Sequence, residues 1–233
     1  MTARRSEMVT AAAGVTAVVL LVAELATWGN PHATDSLASI TGYFVSNRNT
    51  ALASLELGLA GAVMLLVFAA GLRDILRREA GASDMLSTIA LAGGVLCLST
   101  EITFVTTTGA LTFVAGHASE SEIRLLVELE GWIDQFRFLS AGILIGAASL
   151  AMIGGSTFRW IRWLGIASGA LLLVSQSSPA WTPSDPLGGV SNVGVLGLLL
   201  GLIWLLGVSV NLIRRPAALP ALAQRPQASG SRP

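Results

Sequence analysis

Residues 85–108 read MLSTIALAGGVLCLSTEITFVTTT, a run with no basic residue and a single carboxylate, Glu101. A bilayer hydrocarbon core of roughly 30 Å takes about 20 residues of helix at 1.5 Å each, so this stretch is long and apolar enough to span it. Its reading decides the fold, because five further runs share its character: 8–28, 50–72, 132–154, 159–178 and 191–213. The chain is 53% hydrophobic and 12% charged, with mean hydropathy +0.70, whereas charged residues make up about a quarter of soluble domains. Pattern and composition together predict an all-α polytopic membrane protein. Six transmembrane helices form one bundle within residues 1–215, and a disordered cytoplasmic tail, 216–233, follows, rich in proline, glutamine and serine.

The formal charge is zero, which excludes a general attraction for nucleic acid and leaves the lipid bilayer as the expected partner. All 14 basic residues are arginine, and their distribution carries the topology. Arg4 and Arg5 precede the first run, Arg73, Arg77 and Arg78 follow the second, Arg159 and Arg162 follow the fourth, and Arg214 and Arg215 follow the sixth. These clusters fall on one side, which the positive-inside rule makes cytoplasmic, so both termini are expected inside. Only Arg48, Arg124 and Arg137 fall on or near the other side. Arginine without lysine, in a background rich in alanine, glycine, valine and leucine, is what a GC-rich bacterial genome encodes, so the expected location is the bacterial inner membrane. Cleavage of the first run after Ala26 would put Glu24 at a position that needs a small residue, so an uncleaved anchor is expected. The lone Cys97 leaves no intrachain disulfide.

Two outer loops carry structural signals. Leu37, Ile40, Phe44 and Val45 recur at helical spacing behind a cap at Asp35, which predicts a short amphipathic helix at the outer interface. Ser119 and Glu122 have the spacing of a capping box, opening a helix that runs through Gly131 into the fourth span. The third outer loop, 179–189, is too rich in proline and glycine for regular structure. Gly165 and Gly169, and Gly197 and Gly201, predict close helix packing within the chain. Trp28, Trp132, Trp160, Trp163 and Trp181 lie near span ends, as interfacial anchors do.

Carboxylates inside apolar runs are costly and mark candidate sites. Counting from the outer ends of their spans places Glu24, Glu56 and Glu101 roughly 6–11 Å below the outer boundary, in one layer. Arg137 enters that layer from the start of the fourth span, with Asp134 three residues earlier on the same face and Gln176 near the end of the fifth. One guanidinium neutralises one or two carboxylates, so at least one glutamate is expected to be protonated, hydrated or bound to a cation. Ser99, Thr100, Thr103, Thr106, Thr107 and Thr108 add hydroxyls around Glu101, the deepest of the three.

The leading expectation is a non-enzymatic membrane protein whose polar layer packs helices or binds a small ligand or cation, with no cofactor. A proton- or cation-coupled transporter using the same carboxylates is the alternative, although the layer lies near one face and the two halves show no inverted repeat. A metal-dependent membrane hydrolase is a third reading, resting on His32 and His117, which both fall in outer loops and make no ligand pair on one helix. No nucleophile elbow, phosphate-binding glycine loop or zinc-protease motif occurs.

Three short segments carry a family resemblance: Gly42-Tyr43-Phe44-Val45-Ser46-Asn47-Arg48-Asn49 before span two, Gly71-Leu72-Arg73 at its end, and Arg162-Trp163-Leu164-Gly165 at the start of span five. In these the chain resembles a group of six-span membrane proteins of high-GC, actinobacterial-type bacteria, over roughly residues 8–215. The resemblance implies a membrane location and six helices. It implies no activity, since the group has no established one, and the three-glutamate pattern is not carried over to it.

Overall fold

The computed structural model describes residues 3–27, 29, 35–78, 83–154, 159–176 and 191–215. These form α1 (Ala3–Thr27), α2 (Leu37–Ser46), α3 (Arg48–Arg78), α4 (Asp84–Val114), α5 (Glu120–Ala151), α6 (Arg159–Ser175) and α7 (Ser191–Arg214), with a 3₁₀ turn at Met152–Gly154. Five of them, α1, α3, α4, α5 and α7, are long and apolar enough to cross a membrane. The fold is therefore an all-α, multi-pass membrane protein. The described part of α6 has 17 residues, about 26 Å at 1.5 Å each. The tail 216–233, the breaker-rich loop 179–189, Trp28, Trp181 and His32 lie outside the described residues.

Each long helix packs against its neighbour in sequence, and α7 returns to α1, closing a ring in the order α1, α3, α4, α5, α6, α7. Arg4 fastens the closure. Its guanidinium donates to the carbonyls of Leu212 (3.2 Å) and Ile213 (2.9 Å) in the last turn of α7, where helix carbonyls lack intrahelical partners. The start of α1 and the end of α7 thus share one end of the bundle, the near end. Arg77 and Asp84, 2.7 Å apart and largely exposed, join the last turn of α3 to the start of α4 at that end.

Small residues let these helices approach. A methyl built on Gly93 of α4 would lie 2.5 Å from the backbone nitrogen of Leu144 on α5, and one on Gly169 of α6 would lie 2.9 Å from the Cα of Gly146. Gly197 meets the Leu172 backbone, and Gly201 meets Ile145 and Ser168. All four predicted glycines serve seams within the chain, Gly165 by lying against the Ser149 hydroxyl and the Trp204 indole. The main apolar core includes Phe68, Leu144, Leu172 and Trp204, with Phe68 and Trp204 edge to face at 6.2 Å.

At the far end α4 and α5 outrun the predicted spans. With 31 and 32 residues they extend about 47 Å against a bilayer core of about 30 Å. The excess forms a helical hairpin, and α2 packs across it: Ile40 and Phe44 are buried with Leu111, Ala115, Ile123 and Val127 in a separate small core. The predicted interfacial helix is therefore present, but its apolar face turns to protein, and only Val45 is left exposed. Its cap is Ser36, whose hydroxyl accepts from Ser39 N–H, one residue beyond the expected Asp35. The predicted capping box opens α5, with Glu122 accepting from the Ser119 N–H (2.7 Å) and hydroxyl (2.6 Å), and the helix runs unbroken through Gly131.

Candidate functional site

On α4 the buried positions Ala90, Gly94, Cys97, Glu101, Phe104, Thr108 and Leu111 recur at alternating steps of three and four, the stripe of a helix facing its neighbours on one side. Glu101 is therefore aimed into the bundle by the same periodicity that aims the apolar residues. Glu24 holds the equivalent place near the end of α1, following Thr10, Gly14 and Ala17 on its inward face. Both carboxylates are almost wholly buried, and Arg137 of α5 lies between them. Its Nη2 is 2.8 Å from Glu24 Oε1 and 2.9 Å from Glu101 Oε2, and its Nη1 is 3.2 Å from Asp134 Oδ1. The guanidinium carbon stands 4.4 Å from the Phe104 ring centre, so the face of the cation is covered as well as its edge.

Helix α3 contributes space. Gly58 lies against both carboxylates: a methyl there would be 2.6 Å from Glu101 Oε1, 2.8 Å from Glu24 Cδ and 2.9 Å from Glu24 Oε1. One turn earlier the buried Ser54 hydroxyl donates to the Glu24 carbonyl (3.2 Å) and accepts from Thr27 (3.1 Å), tying α1 to α3 beside the cluster. Four helices thus meet at one guanidinium and two carboxylates. Glu101 uses only half of its capacity: Oε2 faces Arg137, while Oε1 is buried without a hydrogen-bond partner.

Not every expected residue joins. Glu56 is exposed on α3, because two residues of helix turn it roughly 200° away from Gly58. Of the three glutamates expected in one layer, Glu24 and Glu101 therefore meet inside the bundle, while Glu56 faces outward. Asp134 takes part from its edge, with its side chain 46% exposed. Gln176 does not reach the cluster; its amide donates to Ser175 Oγ (3.1 Å) and the Leu172 carbonyl (3.5 Å). Four of the six hydroxyls expected around Glu101 turn back to their own helix instead, Ser99 to Val95, Thr100 to Leu96, Thr103 to Ser99 and Thr106 to Ile102, while Thr108 Oγ1 is buried without a hydrogen-bond partner. His117 is exposed in the turn between α4 and α5, and among the described residues no set of three or more histidine, cysteine or acidic side chains is placed to hold a metal.

The sequence reading missed Gly58 and Glu130. Glu130 is buried on α5, and at four residues before Asp134 and seven before Arg137 it lies on their helical face. That spacing was available in the sequence, but Glu130 lies in the polar lead-in to the fourth span, before the apolar run, where a carboxylate does not stand out. Gly58 is one of several small residues in α3; its signal is the inward stripe Ser54, Gly58, Ala62, which lies opposite Glu56.

Fold and site together define a multi-pass helical membrane protein with a buried carboxylate and guanidinium network. No protein-family model matches the chain, and comparison with curated proteins and with solved structures returns no significant match.

Proposed function

We propose that this is a six-span, non-enzymatic protein of the bacterial cytoplasmic membrane with both termini inside, and that its cluster of Glu24, Glu101 and Arg137 binds a small ligand or cation toward the outer leaflet. The alternation of arginine clusters supports six spans and this orientation. With the near end cytoplasmic, the exposed Trp160 and Trp163 in the first turns of α6 stand at the inner interface, where tryptophan anchors a short span. On its three short segments we also assign the chain to the actinobacterial-type six-span group. Two of those segments have structural work to do: Asn47 closes α2 through the Tyr43 carbonyl, and Gly165 admits Trp204.

The observation that carries the ligand reading is Glu101 Oε1. A buried acceptor without a partner costs about 1–3 kcal/mol, more when charged, so a cluster that served only to hold helices together would have little reason to retain it. The carboxylates also outnumber the guanidinium, and a bound ligand that donates to Glu101 answers both. Thermal unfolding of the purified protein and of Glu101→Gln, across salts, small amines and pH, tests this. The reading expects at least one condition that stabilises the native protein and leaves the variant unaffected. If the native protein responds to none and Glu101→Gln is simply more stable, the cluster is a packing brace. The transporter alternative loses Glu56, one of its three carboxylates, to the exposed face of α3.

A further inference from the structure

Building on the reading of this cluster as a ligand site, we propose that the ligand is a proton, held by Glu101 and Glu24 over the Cα of Gly58, in place of a metal ion or an organic ligand. The groups facing the site are Glu24 from α1, Glu101 and the buried Cys97 thiol from α4, and Arg137 with Asp134 from α5, while α3 supplies only Gly58 and Ser54. Glu130, also buried, stands two turns further along α5. One guanidinium faces two buried carboxylates, and an anion would add to their excess charge. The ligand is therefore a cation or a neutral donor, and size selects between them.

Glu101 Oε1 has essentially no surface that water can touch, and even a methyl on Gly58 would stand only 2.6 Å from it. Magnesium needs six oxygens at about 2.0–2.1 Å and calcium six to eight at about 2.3–2.6 Å, with their own space among them. Neither that space nor a set of three metal-ligating side chains is found among the described residues. An organic amine is larger still. A proton needs no cavity: bound to Glu101 Oε1 it supplies the hydrogen that this oxygen lacks, and Glu24 Oε1, which accepts from Arg137, borders the same Gly58 methyl position. The step is a proton transfer alone. A proton from water forms an O–H bond on Glu101, no bond to carbon changes, and the set of Arg137, Glu24 and Glu101 becomes formally neutral. Asp134, half exposed and bonded to Arg137, marks the side from which the proton enters and leaves.

The test uses the full-length chain in detergent. Infrared difference spectra across an acid-to-alkaline titration should show, beside the bands of the exposed carboxylates, a carboxylic-acid C=O band that shifts in D₂O and is absent in Glu101→Gln. Thermal unfolding should follow pH and stay unchanged when sodium, potassium or magnesium chloride is exchanged at constant ionic strength. If the band is missing and a particular cation stabilises the native protein but not Glu101→Gln, the ligand site stands and the proton assignment is wrong. If neither pH nor any ligand distinguishes the two proteins, both readings fall. Should Glu101→Gln not fold, Glu24→Gln replaces it: the band must persist at a shifted frequency, and an unshifted band overturns the sharing of the proton.

Discussion

At Gly58 the lack of a side chain lets two carboxylates and a guanidinium close on one another, so the position is as much part of the cluster as the charges are. Gly58→Ala should lower stability by about 1–3 kcal/mol, the ordinary cost of overpacking, read as a fall in the unfolding temperature in detergent. Arg137→Gln leaves two buried carboxylates without their cation and should cost about 3–5 kcal/mol. Glu56→Gln, on the exposed face of the same helix as Gly58, should stay within about 0.5 kcal/mol of the native protein in the same assay. The contrast between the two glutamates is decided by helical phase. That phase was legible in the inward stripe of Ser54, Gly58 and Ala62, but a count of depth along the span treats every residue of a turn alike and put Glu56 beside Glu24.

Among the elements, α4 carries the most information, because it contributes to the cluster, to the tightest seam with α5 and to the far-end hairpin. Its glycines are not equivalent. Gly93 lies against the Leu144 backbone, which cannot swing away as a side chain can, so Gly93→Ala should destabilise. Gly109 has nothing within 4 Å of a built methyl, and Gly109→Ala should instead gain up to about 1 kcal/mol from helix propensity. Measuring both in one unfolding series separates packing from propensity. In the far-end hairpin, Phe44→Ala should cost about 3–5 kcal/mol, as for other fully buried phenylalanines. The residues of α2 announce a helix with one apolar side. Whether that side meets lipid or protein depends on α4 and α5 extending beyond their apolar cores, and an apolar-run criterion stops where the run becomes polar.

For the whole molecule, ring closure by Arg4 on α7 and the antiparallel order of the long helices put the first and last turns at the same end. Cys97 is the chain's single cysteine and is buried, so replacing it by alanine gives a clean background for topology mapping. In intact cells a membrane-impermeant maleimide should label a cysteine at His117→Cys and should fail to label one at Arg78→Cys until the membrane is opened. Labelling of Arg78→Cys in sealed cells would reverse the orientation. Labelling of Ser6→Cys but not Arg215→Cys would overturn the even span count.

The sequence by itself determined that this is an all-helical, multi-pass membrane protein, because an unpaired backbone in hydrocarbon is so costly that long apolar runs have almost no other structure open to them. It also nominated Glu24, Glu101, Asp134 and Arg137, since charge in such a run is conspicuous against its background. Only the tertiary structure decided that Arg137 bridges Glu24 and Glu101, that Glu56 turns away, that Glu130 is buried and that Gly58 closes the site. Depth along a helix is a one-dimensional count, whereas the pairing of charges depends on the rotation of four helices about their axes, and small residues distributed over all of them set that rotation through packing.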